Sequence, residues 1–423
     1  MNGLYEKLDH CLLCGSKDLE LVLPLAPIPI ATPNFSVPEH LRAAADKGVP
    51  LDLFQCRGCG HLQVGHVGNP EFQYRDYVYT TSLSPGLTEH FERYEREVFD
   101  RLAPPRDSLA VELGSNDGTL LRFFKNDGLR VLGVDPAVRI ARDATRDGIE
   151  TIGDFFSEKL AQRIRSEHGP ASIVLANNMI ANIHDLDDYT KGVRALLADD
   201  GAFVFETQYG ADVVERHLLD TVYHEHLSYF RVAPLATFFP RYGMKLLDVA
   251  RIPTKGGSLR VTVGVAAGPR KPEASVAAML EEEARKEMYR AQYFRPLLDS
   301  IAETRRRLTT LADEERGRGR DIAGWGVSVG TTTLLAQFDL NHRIAFLVDD
   351  DPKKEHSLRG PDYEIPVLPV ESVATRKPAA IVIFAWRYAD AIVARNQAYL
   401  NAGGTFLIPL PDIRAVAASA ARS

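Results

Sequence analysis

The apolar positions of this chain fall into two alternating series with a charged helical stretch between them. Short apolar runs at LAVELG, RVLGVD, ASIVLANN and GAFVFET lie between residues 106 and about 250, and helical patterns separate them. Buried strands alternating with amphipathic helices predict a parallel sheet covered by helices. Just ahead of the series, LTEHFERYEREVFDRL spaces its apolar residues along one helix face. A KGGSLRVTVG strand follows, then helix from about 275 to 316, and the alternation resumes at DIAGWG, IAFLVDDD, AAIVIFAW and GTFLIPL. Residues 1 to about 70 carry neither pattern and are rich in turns. The expectation is an α/β protein in three parts: a small module over 1–70, a central domain over 71–250, and a linker helix with a second α/β domain over 251–423.

The first part holds all four cysteines, as Cys11-Leu-Leu-Cys14 and Cys56-Arg-Gly-Cys59 with 41 residues between the pairs. Each C-x-x-C places two thiolates on one tight turn, and two such turns complete a tetrahedron around zinc. Gly15, Gly58 and Gly60 suit the turns. Four thiolates close the coordination sphere, so this zinc is expected to be structural, with His10 and His61 not needed as ligands.

Charge narrows the partners. A formal net charge of −7 argues against a surface built for nucleic acid, which needs clustered Lys and Arg. No apolar run approaches the roughly 18 residues of a membrane span. The opening MNGLYEKLDHCLLCG lacks the basic flank and apolar stretch of a signal peptide. A cytoplasmic chain that contacts neither nucleic acid nor membrane is expected.

Chemistry concentrates in two segments. The first, SLAVELGSNDGTLLRFF, reads strand, glycine turn, helix, with Gly114 and Gly118 allowing close backbone approach to a ligand and Asn116 between them. Asp135 stands 21 residues after Gly114, at the end of the next strand. That is the spacing at which an acid reaches both ribose hydroxyls in a Rossmann-like domain. The turn is not the dinucleotide G-x-G-x-x-G. Its E-x-G-x-x-x-G form, with Glu112 at the strand end, resembles methyltransferase motif I and implies S-adenosylmethionine. Asp154 and Phe155 after the third strand, and Asn177 and Asn178 after the fourth, fall where such domains meet the adenine and the reacting methyl.

The second segment is Tyr223-His224-Glu225-His226. Four ionisable side chains in a row suit acid–base chemistry more than a core. Histidine titrates near neutrality, a neighbouring carboxylate can orient it, and a tyrosine hydroxyl can stabilise an oxyanion. Two histidines and a glutamate also look like metal ligands, but no matching further ligand is evident.

The order of zinc knuckles, ELGSNDG, YHEH-x-SYF, KGGSLR and a second α/β domain resembles the sugar-nucleotide C-methyltransferases over nearly the whole chain. These enzymes methylate C3 of 4-keto-deoxysugar nucleotides. The resemblance implies His226 as general base, supported by Tyr223 and Glu225, with Tyr79 lining the substrate site. It also implies a nucleotide-binding role for the C-terminal Rossmann-like domain, where Trp386, Arg387 and Tyr388 end a strand, with Lys255 and His224 as further substrate contacts. The chain departs from the family pattern twice. Asn182 stands where a histidine is common, with His184 two residues on. Ser328 to Thr332 replaces a lysine-glycine-asparagine run.

The expected activity is C-methylation of a nucleotide-linked keto sugar by a monomer or weak homo-oligomer. The competing readings are O-methylation of another small acceptor, RNA methylation, and an inactive sugar-nucleotide binder. The sequence names neither the nucleotide, nor the sugar, nor the stereochemical outcome.

Overall fold

The structure is a computed structural model that describes residues 4–30, 39–77, 80–83, 86–354 and 356–418, the side chains of 39–41 aside. The chain forms two compact units, neither continuous in sequence. Met1–Leu21, Phe54–Ala211 and Glu225–Tyr293 make the first; Val22–Leu53, Asp212–His224 and Phe294–Ser423 make the second.

In the first unit the apolar runs become a sheet. Its strands are β1 (Leu109–Leu113), β2 (Arg130–Val134), β3 (Thr151–Ile152), β4 (Ala171–Asn177), β5 (Leu197–Gln208), β6 (Met244–Ile252) and β7 (Ser258–Val265). Among the described residues the order is β3-β2-β1-β4-β5-β7-β6. The first five strands are parallel, and β7 is antiparallel to both β5 and β6. β1 is buried along its whole length, as a central strand covered on both faces must be. Helix α1 (Leu87–Leu102) lays Phe91, Tyr94, Val98 and Leu102 against Leu120, Leu121 and Phe124 of α2 (Thr119–Asn126) and against Ile173, Leu175 and Val204 of the sheet. It stops at Ala103, in left-handed backbone ahead of Pro104 and Pro105, because proline cannot continue a helix.

A smaller sheet carries the cysteine knuckles. Its strands run in the order Ser228–Tyr229, Leu62–Val64, Leu53–Cys56, Leu19–Leu23. Ser228–Tyr229 follows β5 in sequence, yet it pairs antiparallel with Leu62 and Gln63.

The second unit repeats the α/β theme. Strands β8 (Ile322–Trp325), β9 (Ile344–Val348), β10 (Ser357–Arg359), β11 (Glu364–Leu368), β12 (Ala380–Ile383), β13 (Thr405–Ile408) and β14 (Arg414–Ala417) lie in the order β10-β11-β9-β8-β12-β13-β14. Trp325, Phe346, Ile381, Ile383, Phe406 and Ile408 form its core. Helix α3 (Val329–Gln337) follows β8 and is buried on nearly every side.

The charged helical stretch expected from 275 to 316 is two helices, Ala274–Arg285 and Arg295–Gly317. Glu287 takes left-handed backbone, and Pro296 opens the second helix. Proline suits the first turn of a helix and not its middle, so the break was written at Pro296. Among the described residues no helix is long and apolar enough to cross a membrane.

Candidate functional site

The four cysteines meet. Cys11 Sγ lies 3.6 Å from Cys59 Sγ and Cys14 Sγ 3.5 Å from Cys56 Sγ, with all four sulfurs within 4.8 Å of one another. A tetrahedral zinc with bonds of about 2.3 Å sets its sulfurs about 3.8 Å apart, so this donor set fits zinc and leaves no position open. The knuckles are tightened by Gly15 N–H donating to Cys11 O and Gly60 N–H donating to Cys56 O. His61 faces away, with Nε2 3.0 Å from Ser228 Oγ.

The glycine turn is built around Asp135. Its carboxylate accepts from the backbone N–H of Asn116 and of Ala137, each at 2.9 Å. The acid therefore shapes the turn and presents its remaining lone pairs outward. Burial pushes its pKa up to about 6. Gly114 has φ +72°, and a Cβ there would lie 2.7 Å from the Met179 side chain; only glycine lets β1 turn that close to the strand-four loop. Asn116 Oδ1 and Asp117 Oδ2 accept from the N–H groups of Thr81 and Ser82, each at 2.9 Å. The turn thus also anchors the segment that follows Tyr79, which itself lies outside the described residues.

A cavity of about 390 Å³ opens beside this turn, all of it within the first unit. Glu112, Gly114, Asn116, Asp135, Asp154, Phe155, Asn177 and Asn178 line it, and Gly118 sits one residue behind the wall at Thr119. Glu112 is buried and its pKa stands well above the usual carboxylate range because of that burial. Asn177 approaches Glu112 and Tyr94 without a well-directed hydrogen bond from either end of its amide. Buried polar groups normally find partners, so this wall is suited to a polar ligand. The Arg75 guanidinium lies 4.5 Å from the Phe155 ring centroid and 3.4 Å from Asp154, covering one face of the aromatic ring. A nucleoside fits these features: hydroxyls at Asp135, a flat base at Phe155.

The opposite wall is made by Tyr74, Tyr77, Asn182, His184, Leu227 and Lys255. Leu227 N–H donates to Ala181 O at 2.7 Å, which fastens the Tyr-His-Glu-His segment to the loop after β4. Tyr74 hydroxyl reaches Glu225 O at 3.4 Å. Glu225 and His226 are buried, and His226 Nε2 lies 3.1 Å from Gln208 Nε2. His226 is one residue from the cavity wall and does not line it. Asn182 sits beside the Tyr74 hydroxyl, and His184 lies 3.4 Å from Glu6.

Tyr223 and His224 belong to the second unit, where His224 Nε2 donates to Pro50 O at 3.1 Å. Trp386, Arg387 and Tyr388 form a 3-10 turn just beyond the carboxyl end of β12. Tyr388 is exposed, the buried Trp386 Nε1 lacks a hydrogen-bond partner, and Arg387 pairs with Asp220.

Three groups escaped the reading of the sequence. Gln208 ends β5 in FVFETQYG, and its signal was a polar residue at a strand's carboxyl end. Tyr74 and Tyr77 stood in an aromatic cluster from which only Tyr79 was singled out. The third is a buried ionic network: Glu206 accepts from His90 Nε2 at 2.8 Å and Arg260 Nε at 2.7 Å, and Arg260 lies 4.3 Å over the Tyr94 ring. Its partners are far apart in sequence, so nothing local announced it.

Three family models match the chain in succession: a zinc binding domain over residues 11–74, a methyltransferase domain over 87–249, and a C-methyltransferase C-terminal domain over 253–411. The C-methyltransferase NovU of Streptomyces niveus is 31% identical over 419 residues, covering 99% of each chain. Among solved structures, the PH0226 protein of Pyrococcus horikoshii aligns with 44% of this chain and 94% of its own, at 15% identity and a TM-score of 0.36. An S-adenosylmethionine-dependent methyltransferase of Clostridium acetobutylicum aligns with 42% of this chain and 92% of its own, at 9% identity and a TM-score of 0.34.

Proposed function

Because the chain belongs to the S-adenosylmethionine-dependent C-methyltransferases, we propose that its acceptor is C3 of a nucleotide-linked 4-keto-deoxysugar and that His226 removes the C3 proton. The observation that carries the reading is the buried His226 ring, held by Gln208 and placed one residue from the wall of the cavity that Asp135 and Phe155 line. Carbon is a poor nucleophile until it becomes an enolate, and a 4-keto group acidifies the neighbouring C3–H.

His226 takes that proton, the C–H electron pair moves into the C3–C4 bond, and charge develops on O4. The Tyr223 hydroxyl donates to O4, and Glu225 orients the imidazole. Bound S-adenosylmethionine supplies an electrophilic methyl on a sulfonium. Asp135 would hold its ribose and Asp154 and Phe155 its base, while Gly114, Asn116, Gly118, Glu112, Asn177 and Asn178 would shape the space for its amino-acid end. The family resemblance also assigns substrate contacts to Tyr79, His224, Trp386 and Tyr388, and Lys255, which lines the cavity, is suited to a phosphate. Proximity supplies the rest of the rate, since the two reacting carbons are held rather than found by diffusion.

The test is proton exchange. Incubation in heavy water with a panel of 4-keto-6-deoxysugar nucleotides, followed by mass spectrometry and product connectivity, is expected to give deuterium at C3 without the cofactor. With the cofactor the product carries a new methyl on C3. A methyl on oxygen, or no turnover across the panel, would reject the acceptor and leave the methyltransferase assignment intact.

A further inference from the structure

The first βα turn of the second unit reads Gly324-Trp-Gly326-Val-Ser-Val-Gly330, a glycine pattern of the kind that elsewhere cradles a phosphate. Here the helix start is already satisfied. Ser328 and Thr331 form a reciprocal capping box, with Ser328 Oγ accepting from Thr331 N–H and Thr331 Oγ1 from Ser328 N–H. The carboxylate of Asp349 takes the N–H groups of Val327 at 2.7 Å and Asp351 at 2.9 Å, and Lys354 Nζ stands 3.4 Å from it.

What lies against the first turn of α3 is the chain itself. Residues Leu219–Thr221 form a single 3-10 turn. A Cβ added to Gly330 would fall 2.5 Å from the Asp220 carbonyl oxygen and 3.0 Å from Asp220 Cβ. Glycine inside a helix is disfavoured relative to alanine, and this close approach is the physical reason for it. One turn further on, the fully buried Thr333 donates its hydroxyl to Val222 O at 2.7 Å. From a third element, Arg387 reaches both carboxylate oxygens of Asp220. Its guanidinium is braced 4.4 Å over the Trp386 ring. The next two residues along the chain are Tyr223 and His224.

We propose that Gly330, Thr333 and Arg387 are positioning residues that seat the 219–222 turn and thereby fix Tyr223 and His224. Arg387 acts through Asp220, not through a substrate phosphate. The part of this inference that concerns catalysis rests on the reading of Tyr223 and His224 as substrate-site residues.

The experiment reverses the ion pair in the full-length protein. Arg387→Asp and Asp220→Arg are each expected to lower kcat by about 10- to 100-fold, the usual loss for one charge-assisted pair, with KM for the sugar nucleotide little changed. The double variant, with the charges exchanged, recovers most of the loss. A phosphate contact predicts the reverse: KM rises in Arg387→Asp, Asp220→Asn behaves as wild type, and the exchange rescues nothing. That pattern overturns the proposal.

Amide hydrogen exchange over residues 219–224, read by mass spectrometry without substrate, keeps the seat testable if the sugar reading fails. It quickens in each single variant and returns to the wild-type rate in the double. If the charge reversals do not fold, Thr333→Val removes one donor at nearly constant volume and is expected to quicken exchange at the same residues. Unchanged exchange there overturns the seat.

Discussion

Asp135 offers the sharpest quantitative handle on the proposed cofactor site. Its carboxylate is buried and accepts two backbone N–H groups, and its pKa stands near 6 because burial outweighs those bonds. Ribose hydroxyls donate hydrogen bonds, so the cofactor binds the ionised form. Affinity is therefore full above pH 6 and falls as pH drops through it. With a pKa of about 6, about one molecule in eleven is ionised at pH 5 against nearly all at pH 7.5, which raises the apparent Kd about tenfold.

Asp135→Asn removes this titration. It also leaves one acceptor oxygen for two backbone donors, so the turn is expected to loosen. At pH 7.5 the affinity falls about 10- to 100-fold, the range for losing charge-assisted bonds. The assay is calorimetric titration of S-adenosylmethionine from pH 5 to 8, with circular dichroism confirming the fold at each pH. An affinity that stays flat in the wild type, or the same slope persisting in Asp135→Asn, refutes the assignment. Fold stability runs with the opposite sign. The raised native pKa means the ionised carboxylate costs folding free energy above pH 6, and that cost is relieved as pH falls from 6 toward the unfolded value of 3.8.

Further outcomes follow from other parts of the site. His226→Ala is expected to abolish both C3 deuterium exchange and methyl transfer, while calorimetry finds the cofactor Kd within about twofold of wild type, because the ring does not line the cavity; unchanged turnover rejects it as the base. Glu206→Leu leaves Arg260 and His90 without their shared carboxylate, and denaturant unfolding is expected to lose about 3 kcal/mol or more, near the low end because Glu97 still pairs with Arg260. Elemental analysis is expected to give about one zinc per chain, and stripping it with a chelator to lower Tm; metal-free protein melting at the same temperature counts against a structural ion.

Local chemistry made much of this molecule readable. The strands β1, β2, β4 and β5 announced themselves as apolar runs, and Leu87–Leu102 as a helix with one apolar face. Cys11, Cys14, Cys56 and Cys59 announced their meeting because C-x-x-C has one common use in a long chain with no other cysteine. The glycine turn and Asp135 were legible because their spacing encodes a strand, a helix and a second strand. The rest depends on residues that meet only after folding. Gln208 and His226 are 18 residues apart, Arg387 and Asp220 are 167 apart, and no pattern in either neighbourhood points to the other. The break between Ala274–Arg285 and Arg295–Gly317 was readable at Pro296 and was hidden by the charge pattern on either side.

The strand Ser228–Tyr229, two residues past His226, is an edge of the cysteine module's sheet. Val64 N–H donates to Leu227 O at 3.0 Å, and the buried Arg231 donates to Gly60 O inside the second knuckle and to Gln55 at 2.7 Å. Three successive parts of one segment are thus stitched to the first 70 residues. For anyone recombining these enzymes, the border near residue 70 is therefore not a seam. A chimera that exchanges only the N-terminal module keeps a 227–231 segment shaped for its former partner. Crossovers should transplant 227–231 along with residues 1–70, as a single heritable block.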